Sequence, residues 1–77
     1  MADKELRNNL RHSYKDWALN AYGKKTSGLT LQEKKNVLDW IFQDYYKLSW
    51  HKAEEFKAQF RAIFKNELNE LKRAGLL

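Results

Sequence analysis

Four cationic side chains, Lys4, Arg7, Arg11 and Lys15, recur at intervals of three or four residues. On an α-helix, at about 100° per residue, that spacing aligns them in one stripe. A second set, Lys57, Arg61, Lys65 and Lys72, repeats the device towards the other end of the chain. Rows of this kind attract anions, either a phosphate backbone or the acidic surface of another protein. Lys24 and Lys25, in a loop bracketed by Gly23 and Gly28, would add two more positive charges. Such rows also have a plainer use, because long cationic side chains solvate helix flanks and cover apolar edges.

Groupings that could do covalent or acid–base chemistry are missing. His12 and His51 are the only histidines, and by helical phase both point away from the apolar stripes. His51 has Glu55 four residues on, an ordinary pairing on a charged helix rather than a metal site. The serines and threonines form no nucleophile elbow. The lysine-bearing loop lacks the phosphate-loop spacing and its terminal Lys-Ser/Thr pair. Asp16, Asp39 and Asp44 stand apart from one another, so no general acid–base pair assembles. The expectation is a protein that is not an enzyme and uses no cofactor or metal.

Two aromatic residues and one acid fall out of phase with their surroundings. Trp40 lies among Asn36, Gln43 and Lys47 on the polar side of its segment. An indole there could anchor in a partner's pocket, with Tyr22 in the same patch, or could pack against the first helix. Glu67 is the reverse case, a carboxylate inside an apolar stripe, and calls for a cation from another helix.

Three helices must position these residues. The first runs from about Lys4 to Tyr22, with Asp3 as its N-cap and Gly23 just past its end. Its apolar stripe is Leu6, Leu10, Tyr14, Trp17 and Ala21. The second opens with Thr30-Leu31-Gln32-Glu33, a capping box. Leu31, Leu38, Ile41, Phe42 and Tyr45 line its inner face, widened by Val37, Tyr46 and Leu48. The third is expected unbroken from Ser49 to Ala74, with Ala53, Phe56, Phe60, Ile63 and Phe64 leading its stripe and Leu68 and Leu71 closing it. Gly75-Leu76 has the form of a Schellman stop. At about 37 Å, against about 28 Å for the first helix, the third would overhang its partners. The junction Leu48-Ser49 holds no Gly or Pro. One bent helix from Leu31 to Ala74 in a dimer is therefore the alternative.

Composition agrees with a small all-α bundle, one domain over residues 1–77. The chain has no cysteine or proline, so neither disulfides nor thiolate metal sites help it fold. Its eleven aromatic residues (three Trp, four Tyr, four Phe) are the substitute. Lys and Arg outnumber Asp and Glu by 15 to 10, a net charge of +5. No apolar run approaches the ~20 residues of a membrane span and no leader pattern opens the chain, so a cytoplasmic protein is expected. The functional expectation is a small regulatory protein that binds another macromolecule. The first choice is a protein partner with an acidic or apolar surface, bound by an inhibitor or adaptor of the phage or plasmid kind. The alternative is DNA or RNA, held through phosphate contacts, and a homodimer is open in either case.

Overall fold

The first apolar stripe coils as expected: α1 spans Ala2–Tyr22 in a computed structural model that describes residues 2–48 and 53–77. Asp3 therefore lies inside the first turn rather than ahead of it. Leu10, Tyr14 and Ala18 are buried, with Leu6 and Trp17 packed on their edge. Ala21, expected in the stripe, is exposed, and Ala18 takes the inward position. Gly23 ends the helix at φ 64°, a conformation that strains any residue with a Cβ, and its amide donates to the Leu19 carbonyl at 2.8 Å. A 3-10 turn, Thr26–Gly28, leads to buried Leu29.

The capping box forms. The Glu33 amide donates to Thr30 Oγ1 at 3.2 Å, and the Thr30 amide donates to Glu33 Oε1 at 2.8 Å, opening α2 (Leu31–Leu48). Lys24 joins the box from the loop, its Nζ donating to Glu33 Oε1 at 2.9 Å. That Lys24 hydrogen bond, with the Thr30 amide second, holds the Glu33 carboxyl below its ordinary range.

The third helix is not unbroken. It is two, α3 (Ala53–Ile63) and α4 (Lys65–Arg73), parted at Phe64 with φ −103° and ψ 27°. The Phe64 amide still donates to the Phe60 carbonyl at 3.0 Å, and the Leu68 amide to the Phe64 carbonyl at 2.9 Å. The break is thus a kink, and its cause is visible. Arg11 Nη2 donates to the Ile63 carbonyl at 2.6 Å, and a side chain bonded into the helical ladder opens it. The kink turns α4 towards α2, where Lys34 meets Glu70 at 3.1 Å and Leu71 is fully buried. The expected overhang does not arise. Gly75 (φ 75°) closes α4 as a Schellman motif, with Leu76 donating to Leu71 at 2.9 Å and Gly75 to Lys72 at 3.1 Å.

Helices α2 and α3 double back on each other. The Phe42 ring lies 5.6 Å from Phe56 and 5.2 Å from Phe60. An unbroken helix would hold Phe42 and Phe60 about 27 Å apart. The expected start at Ser49, the junction that follows Leu48, and His51 lie outside the described residues.

Aromatic rings dominate the core. Among the described residues Phe64 is the largest fully buried side chain, 4.9 Å from Phe60 and edge-on to Tyr14 at 5.5 Å. The Tyr14 hydroxyl is buried with no hydrogen-bond partner among the described residues. Burial first, then the charges of Glu67 and Glu70 against an opposing Arg11, push its pKa from 10.0 up to about 12. The unfolded chain gives up that proton first. Stability present below pH 10.0 is therefore lost as pH rises through about 12. In chemical denaturation, Phe64→Ala should cost about 3–5 kcal/mol. Tyr14→Phe should be neutral or stabilising at pH 7, because it removes an orphaned polar atom, and should flatten the alkaline fall. A Tyr14→Phe variant with the wild-type slope above pH 10.0 would show that another group sets it.

Candidate functional site

The helices leave one side of α2 and of α3–α4 uncovered, and the two walls enclose a cleft of about 610 Å³. Its floor is apolar: Leu38 and Phe42 from α2, Phe60 from α3, Leu68 and Leu71 from α4. Its rim is cationic: Lys35, Lys57, Arg61, Lys65 and Lys72, against one carboxylate, Asp39. Two of the five cations are occupied. Lys35 Nζ lies 3.0 Å from Asp39, and Lys57 Nζ lies 3.6 Å from Glu54 and 5.7 Å from the Tyr46 ring centre. Arg61, Lys65 and Lys72 are exposed and have no ion-pair partner among the described residues. The cleft can therefore take an apolar body that carries negative charge on one flank.

The second basic row, Lys57, Arg61, Lys65 and Lys72, is thus assembled along one wall. The first is not assembled with it. Lys4, Arg7 and Lys15 are exposed on α1 and take no part in the cleft, Lys4 lying instead by Glu5, Asn8 and Asn9. Arg11, grouped with them by helical phase, turns inward. Its Nη1 meets Glu67 Oε2 at 2.7 Å, its Nη2 takes the Ile63 carbonyl, and its guanidinium lies 5.1 Å from the Phe64 ring centre. A largely desolvated carboxylate (the Glu67 side chain is 15% exposed) outcompetes solvent for the guanidinium, so Arg11 is a structural cation. It answers the need for a cation at Glu67. Lys24 is likewise tied to Glu33, which leaves Lys25 as the exposed cation of the loop.

Of the two readings of the aromatic patch, the structure shows packing against the first helix. Trp40 does not stand alone on a polar face: its ring lies 5.0 Å from Trp17 and 6.1 Å, stacked, from Tyr22. The Tyr22 hydroxyl accepts from Asn36 Nδ2 at 3.1 Å. Both residues are half-buried and belong to the α1–α2 contact, which small apolar area alone would hold less firmly than stacked rings.

Sequence reasoning missed Lys35 and the open side of Phe42. Their signal was the α2 series Lys35, Leu38, Asp39 and Phe42, at i, i+3, i+4 and i+7. It becomes readable as a cleft wall only once α3 is known to lie beside it. Among the described residues no cluster of His, Cys, Asp or Glu could hold a metal, and no helix is long and apolar enough to cross a membrane. No family model, curated protein or solved structure shows significant similarity to the chain.

The Arg11–Glu67 pair crosses the bundle and is partly shielded from water, so its coupling should exceed that of a surface pair. A double-mutant cycle with Arg11→Ala and Glu67→Gln, read by denaturation, should return about 1–2 kcal/mol. A coupling near zero would mean that the pair holds no more firmly than an exposed surface pair.

Proposed function

We propose that this protein is a non-enzymatic regulator, an inhibitor or adaptor, that binds an acidic and partly apolar surface of a protein partner in the cleft between α2 and α3–α4. One observation carries the reading: the cleft between α2 and α3–α4 combines an apolar floor with three cations on one wall that have no ion-pair partner among the described residues. Apolar burial would supply affinity, and the cations would steer the partner and set its register. A phosphate backbone would use the rim and leave the floor wet. Nucleic acid is the second reading, favoured by the row Arg61, Lys65 and Lys72, cations on one flank that phosphates would attract. It loses ground because Arg11 is turned inward and the other α1 cations lie outside the cleft, so the two basic rows do not line it together.

Salt separates the two readings. Three phosphate contacts would cost about a hundredfold in affinity between about 50 and about 300 mM salt, whereas an apolar interface changes little. The isotope-labelled protein is titrated with a leucine- and glutamate-rich peptide and, separately, with a generic DNA duplex. The peptide should shift the resonances of Leu38, Phe42, Phe60 and Leu68 and bind within a few-fold at both salts. A duplex that binds more tightly than the peptide at about 150 mM salt would refute the protein-partner reading.

A further inference from the structure

The shape of the cleft says what form its occupant takes. On α2 the lining residues are Lys35, Leu38, Asp39 and Phe42, spaced i, i+3, i+4 and i+7. On the facing wall Lys57, Phe60 and Arg61 continue across the kink into Lys65, Leu68 and Lys72 at the same helical period. The cleft is therefore the groove between two packed helices and runs along their axes. Around α2, the cleft residues lie about half a turn from Val37, Trp40 and Ile41, which belong to the packed side of the bundle. Helix α1 covers that other side, through the Trp17–Trp40 contact and the Arg11–Glu67 pair. The open groove is a vacant helix position.

We infer that the occupant is an amphipathic acidic α-helix of the partner, about three turns long, with carboxylates on the flank that faces Arg61, Lys65 and Lys72. This rests on the protein-partner reading above. The choice of helix over extended segment follows from the walls. Both are helices, so no strand edge is offered. An extended segment on an apolar floor would need acceptors for its amides, and the polar lining side chains are almost all donors. Asp39, the one carboxylate, is already held by Lys35. A helix brings its backbone bonds with it. Length and charge follow from the unpaired cations. Arg61 to Lys72 spans eleven residues, about 16 Å, with Lys65 one turn from Arg61 and two turns from Lys72. The α2 wall neutralises itself through Lys35 and Asp39, so the carboxylates gather on one flank only.

Three synthetic peptides of about sixteen residues test this. The first is an amphipathic leucine–glutamate helix, the second carries two central prolines, and the third has lysine in place of glutamate. Binding of the first should shift cleft resonances and raise the peptide's helicity, and the proline peptide should bind at least about tenfold more weakly. Arg61→Glu with Lys65→Glu, both exposed positions, should weaken the first by about tenfold and strengthen the lysine peptide. Lys4→Glu with Arg7→Glu should change neither. Equal binding of the proline peptide overturns the helical occupant and leaves the acidic partner standing. Cleft shifts produced by a DNA duplex and by none of the peptides, even at millimolar concentration, sink both.

Discussion

A single guanidinium sets the shape of this molecule. Arg11 reaches from α1 to the point where α3 gives way to α4, takes the Ile63 carbonyl and the Glu67 carboxylate together, and lies over the Phe64 ring. Its two hydrogen bonds are charge-assisted and partly desolvated, which puts them among the stronger kind. Because one acceptor is a helical carbonyl, the bond does more than join two elements. It bends one of them. The bend carries Leu71 into the core and Glu70 to Lys34. It also aligns the two halves of the cationic wall along one groove.

A domain of this size hides only roughly 60% of its unfolded surface, so each buried group counts for more than in a larger protein. Rings meet that demand. Phe42, Phe56, Phe60 and Phe64 form a chain of contacts from 4.9 to 6.0 Å, and Tyr14 meets its end edge-on. Trp17, Trp40 and Tyr22 make a second cluster where α1 and α2 meet. The described core contains no buried polar or charged residue; partly buried polar groups lie at its border, where Ser13 Oγ and the Tyr45 hydroxyl are 3.0 Å apart and Arg11 meets Glu67. Oily packing supplies the stability, and a few polar bonds at its edge select one arrangement of helices.

What could be read from the residues alone divides along the range of the forces involved. The capping box of Thr30 and Glu33 and the stops at Gly23 and Gly75 are local, governed by neighbours within about one turn, and all were legible. The need of Glu67 for a cation was legible too, because a carboxylate in an apolar stripe is costly unless paired. Its partner was not, since helical phase placed Arg11 with Lys4 and Arg7 and could not show that a neighbouring carbonyl competes for it. The kink at Phe64 was hidden for the same reason: no Gly or Pro marks it, and the agent that makes it is on another helix. For Trp40 two environments were open, a partner's pocket or the first helix, and polar neighbours in sequence could not choose between them; the structure places its ring against Trp17 and Tyr22 of α1. Of the cleft, one wall's charges were visible, while its floor depended on which faces of α2 and α3 met.

The Arg11–Glu67 contact joins groups 56 positions apart. Closing so long a stretch of chain is an entropic cost met late, after helices have formed from nearby residues. On a ribosome the guanidinium emerges well before the carbonyl and carboxylate it needs. The groove beside α3–α4 is consequently finished only when α1 has docked against the kink.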